Sequence, residues 1–420
     1  MPDTVTNDDA RYAFDIVEAI CTEVGPGLPG SAQERERAAF LEKELEAHLG
    51  AGNVTVEEFT VAPGACLGSF PISALCVLVA AMLNVSTGHL TGISPRVTAT
   101  AALAFSIIAA SLFVLEFVLS IEVVDPLFGK KRSVNVIGTL RRPGSGAVKR
   151  LLMVSGHHDS APANTWLALL GYGAVIAAAT GVLGFITMLG MSSVQWVGSI
   201  TGDAATIRMG TLGWAMLAYP IVPAVIVGVF FTHGRTGGGI VPGAVDNLAA
   251  SALAVALSRF LVMHPADIPA DTEVRFVSFG SEEAGLRGSR RYVERHRDEL
   301  RRLDARLLNF ETVAHPEIAI LTSDVNGTVR NAPEMVTSVV AAAERAGVPY
   351  KVKSAVPGVA TDAGPFSRAG LKAATLLPFR MPRQLVAFYH QKGDGPAVLT
   401  AEPLSNVLKL AVEWIRAGGD

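Results

Sequence analysis

Long apolar stretches interrupt a chain that otherwise alternates between helical and strand periods. Four stretches are almost wholly apolar: Phe70–Val85, Ala101–Val124, Trp166–Met191 and Leu212–Phe231. A helix needs about 20 apolar residues to cross a bilayer core, and three of the stretches reach that length. Buried core helices of a large soluble protein are the alternative, but uncharged runs this long are uncommon in soluble folds. The pattern predicts about four transmembrane helices inserted as two hairpins.

The remaining segments carry the patterns of ordinary helices and strands. Helical spacing covers Ser31–Leu49, Leu248–Met263, Pro333–Ala346 and Ala401–Arg416. Strand patterns cover Val54–Val61, Ser133–Leu140, Arg150–Ser155, Glu273–Phe279, Leu307–Glu311, Ile318–Leu321 and Lys372–Leu377. Asp246 and Asn247 precede the second helix and are favourable N-cap residues. This alternation predicts an α/β domain with a mixed, mostly parallel sheet and helices on both faces.

An even number of spans returns the chain to the side of the membrane that it left. The polar segments, residues 1–65, 126–162 and 241–420, are therefore predicted to form one discontinuous domain. Residues 66–125 and 163–240 form the two hairpins, and the glycine-rich Gly234–Gly239 is a flexible return. Small residues in the second hairpin suit close packing within the chain or in a homo-oligomer: Gly171, Gly173, Gly181 and Gly184.

Charge changes this picture in three ways. Basic residues flank the first hairpin at Lys130, Lys131 and Arg132, and the positive-inside rule then places the polar domain in the cytoplasm. The prediction is an integral protein of a bacterial-type plasma membrane, with the lipid bilayer as a partner. Glu116 lies inside an apolar stretch, where an unpartnered carboxylate is costly. A net charge of −3 argues against a nucleic-acid partner.

Histidines and carboxylates gather in five short clusters, most of them after predicted strands. The clusters are His157-His158-Asp159, Asp246-Asn247, Glu282-Glu283, Glu311 and Tyr389-His390. Ligands in open α/β sheets collect beyond the carboxyl ends of strands. Each cluster alone has an ordinary interpretation, such as an N-cap, a solvated helix start or half of a salt bridge. Together, imidazoles and carboxylates are ligands that zinc accepts.

The order of these clusters resembles the co-catalytic di-zinc exopeptidases, which include bacterial zinc aminopeptidases and glutamate carboxypeptidase II, with glutaminyl cyclases on the same fold. The matching motifs are His-x-Asp at 157–159, Asp-Asn at 246–247, Glu-Glu-x-Gly-Leu-x-Gly-Ser at 282–289, Asn-Phe-acid at 309–311, Thr-Asp-Ala-Gly-Pro-Phe at 361–366 and Tyr-His at 389–390. The resemblance runs through residues 10–65, 126–162 and 241–418. It implies a zinc exopeptidase fold for the polar domain.

Carried over residue by residue, the resemblance implies a site with two Zn²⁺ ions. Asp246 would bridge the two ions. His157 and Glu311 would complete the first metal position, and Glu283 and His390 would complete the second. Glu311 is a departure, because the family usually has Asp there.

The resemblance also implies roles for three further side chains. Asp159 would orient His157, and Glu282 would be the general base that takes a proton from a metal-bridging water. Tyr389 would donate to the developing oxyanion. The implied function is a membrane-anchored aminopeptidase acting on peptides. Carboxypeptidase action, glutaminyl cyclisation and a catalytically inactive membrane scaffold remain open alternatives. A second departure is the long insertion between Asp159 and Asp246, where the family has a short loop.

Overall fold

A computed structural model describes residues 5–226 and 239–420 of the chain. It divides into two compact units. The sheet unit comprises Met1–Pro63, Gly129–Ala163 and Ile240–Asp420, and the helical unit comprises Gly64–Phe128 and Asn164–Gly239. The end of the predicted stretch Leu212–Phe231 and most of the glycine-rich Gly234–Gly239 lie outside the described residues.

Helices and strands follow one another along most of the chain. They are α1 (Asn7–Ala19), α2 (Ala32–Leu49), β1 (Val54–Val61), α3 (Ala65–Ser86), α4 (Pro95–Leu112), β2 (Lys131–Arg141), β3 (Arg150–His157), α5 (Thr165–Leu170), α6 (Tyr172–Thr201), α7 (Ala204–Arg208), α8 (Thr211–Ala218), α9 (Ala249–Met263), β4 (Thr272–Phe279), α10 (Arg287–Arg302), β5 (Arg306–Phe310), β6 (Ile318–Leu321), β7 (Ser323–Asp324), β8 (Val329–Arg330), α11 (Pro333–Ala346), β9 (Tyr350–Lys353), α12 (Ala363–Arg368), β10 (Lys372–Leu377), α13 (Arg383–Ala387) and α14 (Ala401–Arg416).

The sheet unit is built on eight strands in the order β1-β2-β4-β3-β5-β10-β6-β9. The four central strands, β4, β3, β5 and β10, are parallel to one another. Antiparallel pairs occur on either side, at β1–β2, β2–β4 and β10–β6, and β9 runs parallel to β6 at the edge. The predicted mixed α/β sheet is confirmed. Parallel strands place their carboxyl ends at one edge of the sheet, and ligands of open α/β sheets bind in the loops at that edge.

Alternate residues of the central strands contribute to two hydrophobic cores, one on each face of the sheet. On β3, Leu152 and Val154 join the core beneath α1, α2, α9, α11 and α14, whereas Leu151 and Met153 join the core beneath α10 and α12. Successive side chains of a strand point to opposite faces, and all four of these are fully buried. Helices therefore cover both faces, as the sequence predicts.

Apolar helices make up the helical unit. Three are long and apolar enough to cross a membrane: α3, α4 with its continuation to Val118, and α6. The described part of the fourth stretch forms a shorter apolar helical segment, Gly213–Ile226. The helices do not follow the bounds of the apolar stretches. The second helix ends at Val118 rather than Val124, and the third stretch is broken at Gly171, whose φ of 52° favours glycine.

A fourth helix of sufficient length and apolarity, Ala244–Met263, belongs to the sheet unit. In an apolar segment of 18 residues in this helix, 89% of the segment is buried within the protein, compared with 17% of such a segment in α6. Its residues, including Leu253 and Leu257, pack in the core of the sheet unit. Burial against protein explains its apolar character, so this helix is a core element.

Glu116 contacts the backbone of its own chain. It lies in the π-helical continuation of α4 and is buried. Its Oε1 accepts hydrogen bonds from the backbone N–H groups of Val123 (2.5 Å) and Val124 (2.6 Å). The carboxylate thus satisfies donors of the turn that follows the helix, which removes the cost of burying it.

We expect Glu116→Ala to lower the free energy of unfolding by about 3 kcal/mol, because two N–H groups lose a charged acceptor. Glu116→Gln keeps one uncharged acceptor oxygen and should lose less than half as much. Denaturant unfolding of the detergent-solubilised chain measures both. Equal stability of the two variants would contradict this role.

Candidate metal centre

The five proposed metal ligands meet at one edge of the sheet. His157 is the last residue of β3, Glu283 lies in the loop after β4, and Glu311 directly follows β5. His390 lies beyond β10, after α13, and Asp246 lies in the segment that leads into α9. Because β4, β3, β5 and β10 are adjacent and parallel, their carboxyl ends bring four of these residues together. The structure therefore gathers every ligand that the sequence predicts.

Three overlapping groups have ligand atoms within 4.8 Å of one another. They are His157-Asp246-Glu311, His157-Glu282-Glu283 and Asp246-Glu283-His390. The first and third groups correspond to the two predicted metal positions. Asp246 is common to both, as a bridging ligand requires.

The two carboxylate oxygens of Asp246 point to different histidines. Its Oδ1 lies 3.6 Å from Nε2 of His157, and its Oδ2 lies 3.0 Å from Nε2 of His390. Glu283 Oε1 is 3.1 Å from the same His390 nitrogen, and Glu311 Oε1 is 3.8 Å from Nε2 of His157. One oxygen of the central carboxylate thus serves each side of the site.

Several of these ligand atoms are buried without a hydrogen-bond partner among the described residues. They include His157 Nε2, Asp246 Oδ2 and Glu283 Oε1. Buried polar atoms are almost always paired, because an unpaired one carries the full cost of its lost hydration. Nitrogen and carboxylate oxygen are also the donor set that zinc takes. The residues present fit a metal ion.

Burial and mutual repulsion perturb the acids of the site. Burial raises the pKa of the Glu311 carboxyl to about 8, although His157 opposes the shift. Burial also raises the pKa of Glu282 well above its usual value; His157 again opposes it, and the charges of Glu283 and Glu311 add to it. For Asp246, burial favours a higher pKa, but the neighbouring imidazoles of His157 and His390 outweigh burial and hold its pKa well below the usual range. These acids lie close enough to repel one another strongly.

Asp159 contacts both the first histidine and the two adjacent glutamates. Its Oδ1 lies 3.3 Å from Nδ1 of His157. The same oxygen accepts the backbone N–H of Glu282 (3.0 Å), and Oδ2 accepts that of Glu283 (3.0 Å). The contact with His157 is the one that the sequence suggests, and the two backbone contacts are additional. One buried carboxylate thereby fixes the loop after β4 relative to β3.

Glu282 and Tyr389 adjoin the two histidines of the ligand cluster. Glu282 Oε2 is 3.6 Å from Nε2 of His157. The Tyr389 ring stacks on His390 at 4.1 Å between ring centroids, with an angle of 11° between planes. Burial, together with the charges of Asp246 and Glu283, raises the pKa of the Tyr389 hydroxyl well above its usual value. That hydroxyl stays protonated and able to donate.

Asp246 and Asn247 do not cap α9, contrary to the N-cap interpretation. The N-cap of that helix is Leu248. The Asn247 side-chain amide instead donates to the carbonyl of Phe310 (3.0 Å) and accepts the N–H of Thr312 (3.2 Å). Asn247 thus ties the Asp246 segment to the backbone on either side of Glu311.

Two buried acids that the sequence did not single out support the ligand loops. Asp394 accepts the backbone N–H groups of Val245 (2.8 Å) and Asp246 (3.2 Å). It lies in the loop of His390 and so joins two ligand-bearing segments. Glu34 on α2 accepts from the hydroxyls of Ser133 (2.9 Å) and Ser281 (2.7 Å). Neither acid lies in a recognisable motif, so only the fold reveals their positions.

Sequence comparisons agree with this geometry. Residues 228–415 match Peptidase family M28. A stretch of 137 residues is 31% identical to Aminopeptidase YwaD of Bacillus subtilis (strain 168). This alignment covers 32% of this chain and 29% of that protein. The chain thus aligns with less than a third of the length of this relative.

Solved structures share the fold at low sequence identity. A zinc aminopeptidase from Bacillus subtilis superposes with a TM-score of 0.54 at 15% identity, over 97% of this chain and 94% of that one. Glutaminyl cyclase of Fimbriiglobus ruber gives 0.55 at 16% identity, over 99% and 97%. The aminopeptidase of Aneurinibacillus sp. strain AM-1 gives 0.53 at 15% identity, over 97% and 95%. The match to Peptidase family M28 thus covers the segment that carries Asp246, Glu282, Glu283, Glu311 and His390, and the solved structures share the fold.

Proposed function

We propose that this chain is a membrane-anchored, zinc-dependent aminopeptidase with a two-zinc site. The observation that carries the proposal is the position of Asp246, whose two oxygens face two separate His-carboxylate groups. A carboxylate shared in this way could serve two cations at once, as in co-catalytic sites. His157 and Glu311 would hold the first ion, and Glu283 and His390 the second. Bound zinc would supply Lewis acidity that polarises the scissile carbonyl and makes water more acidic.

Glu282 is the best-placed side chain to move a proton. Asp159 fixes its backbone N–H, while its carboxylate stays beside His157. From this position Glu282 accepts a proton from the attacking water and passes it to the leaving amine. Tyr389, protonated and stacked on His390, donates a hydrogen bond to the oxyanion that develops from the scissile carbonyl.

Negative charge favours a substrate with a free amine. Six acids surround the site: Asp159, Asp246, Glu282, Glu283, Glu311 and Asp362. Bound divalent cations would lower the pKa values of these carboxyls, and two such ions would balance four of the six charges. The remaining negative charge attracts an α-ammonium group and repels the α-carboxylate of a C-terminus. An N-terminal residue is therefore the preferred substrate end.

We further propose that the helical unit anchors the enzyme in a membrane, with the sheet unit in the cytoplasm. Apolar side chains such as Leu75, Met82, Val97 and Ile186 are more than half exposed on its helices. Lipid is the environment that suits such surfaces. Sedimentation with membranes after carbonate extraction tests the anchoring.

A peptide panel tests the proposed function. We expect the full-length chain with zinc to release the N-terminal residue from peptides with a free amine and to leave N-acetylated copies intact. C-terminal amidation should not affect the rate. Loss of the C-terminal residue instead would establish carboxypeptidase action, and cyclisation of N-terminal glutamine would establish the cyclase alternative. No reaction with any peptide would favour an inactive scaffold.

A further inference from the structure

The long insertion between Asp159 and Asp246 begins and ends at a narrow root within the sheet unit. We define the insertion root as residues 158–162 and 240–243. Its two sides run next to each other. Pro162 and Ile240 form an isolated antiparallel bridge, and the N–H of Val241 donates to the carbonyl of Ala161 (3.1 Å). The root matters because each side of it continues directly into a proposed metal ligand.

Arg37 of α2 binds both sides of the insertion root. Its Nη1 donates to the carbonyl of His158 (3.1 Å) and the hydroxyl of Ser160 (2.8 Å) on the outgoing side. Its Nη2 donates to the carbonyl of Pro242 (2.7 Å) on the returning side. The remaining Nε donates to the carbonyl of Gly25 (2.7 Å).

The guanidinium of Arg37 is fully buried, and these four acceptors are uncharged oxygens. A buried charge is expensive unless it is well hydrogen-bonded. The planar fork of arginine reaches several acceptors at fixed angles, which a lysine ammonium cannot reproduce. The cost of burial is thus offset by contacts that specify where the two sides of the root lie.

The two sides also approach too closely to tolerate extra bulk. Gly243 has a φ of 70°, and a Cβ there would lie 3.0 Å from the Ser160 hydroxyl. Ser160 in turn accepts from the N–H of Gly27 (3.3 Å), while its own N–H donates to the carbonyl of Gly27 (2.7 Å). The segment before α2 and both sides of the insertion root therefore form one hydrogen-bonded unit around Arg37.

We propose that Arg37 is a positioning residue that holds the insertion root closed and so keeps His157 and Asp246 at the separation a shared metal site requires. His158 directly follows His157, and Pro242 precedes Asp246 by four residues. Along the chain the whole insertion separates the two ligands, so contacts across the insertion root, those of Arg37 among them, set their separation. The inference rests on the proposed zinc site and assigns a second task to α2, which supplies no ligand itself.

Zinc affinity of the full-length chain in detergent, measured by competition with a chromogenic chelator, tests this role. We expect Arg37→Lys to weaken zinc binding about 10–100-fold, the usual effect of losing a group that orients a ligand. Ser160→Ala, which removes one acceptor, should weaken it by roughly threefold, in the same direction. Zinc affinity is measured for both variants without any catalytic assay.

Arg306→Lys is the matched control. Arg306 is also almost fully buried in the sheet unit, and it binds the carbonyl of Gly419 and the side chain of Asp304. Its loss should lower the thermal stability of the metal-free chain without changing zinc affinity. Wild-type zinc affinity in folded Arg37→Lys, or an equal loss in Arg306→Lys, would overturn the proposal.

Ser160→Ala decides the matter if Arg37→Lys does not fold, because unchanged zinc affinity in that milder variant would also overturn the role of Arg37. Failure of the wild-type chain to bind zinc is a distinct result. It would overturn the proposed function and, with it, this inference.

Discussion

Glu282→Gln should reduce kcat about 10²–10⁴-fold while leaving zinc content unchanged. Glutamine fills the same space but cannot accept the proton that the attacking water must lose, and general bases contribute effects of this size. Glu282 Oε2 lies 3.6 Å from His157 Nε2, beside the proposed metal ligands. Steady-state hydrolysis of a free-amine peptide, with metal analysis of the same sample, measures both quantities.

The adjacent Glu283 supplies the matched control. Its Oε1 lies 3.1 Å from His390 Nε2, so Glu283→Gln should lose zinc as well as activity. The two neighbouring glutamates are thereby distinguished by metal content. If Glu282→Gln also released zinc, Glu282 would be a ligand rather than the general base.

Asp246→Ala should abolish both metal positions together. Because each of its oxygens faces a different histidine, no other single ligand substitution disturbs both groups directly. We expect zinc affinity to fall by more than about 100-fold, beyond the range seen for residues that only orient ligands. The stabilisation by added zinc, visible as a rise in unfolding temperature, should disappear with it.

Glu311→Ala tests the specificity of that result. Among the described residues, Glu311 is grouped with His157 and Asp246 and not with His390, so its loss should weaken one zinc position and leave the other. Retention of one zinc ion by Asp246→Ala, with wild-type affinity, would contradict the bridging role.

The positions of the proposed metal ligands were predictable because several of their motifs end buried strands. His157 and Glu311 close or follow strands whose apolar runs are evident, and parallel strands necessarily bring such ends together. Strand β1, strand β10 and helices α11 and α14 have the predicted bounds. In these elements the spacing of apolar residues in the sequence matches the face that is buried in the tertiary structure.

The supporting side chains were not predictable from the same patterns. Glu34 and Arg37 sit among the charged residues of α2, where the sequence suggests a solvent-facing side. Both are fully buried, because β2, the Glu282 loop and the insertion root pack against that side of the helix. Asp394 likewise looks like an ordinary loop acid until the Asp246 backbone is placed beside it. Charged residues whose partners are distant in sequence carry no local signal.

The apolar stretches, too, were predictable from the sequence only in part. Hydropathy locates the segments but not their breaks, since it does not register the positive φ of Gly171 or the turn after Val118. It also does not separate a helix that faces lipid from one buried in protein. Ala244–Met263 has the apolar composition of the first class and the burial of the second.

The central claim is most directly tested by titrating the metal-free, full-length chain with zinc while following release of the N-terminal residue from a free-amine peptide. The account predicts no release without zinc and a rise that reaches its plateau at two equivalents per chain. Full activity in the metal-free chain, or release of the C-terminal residue instead, would contradict it.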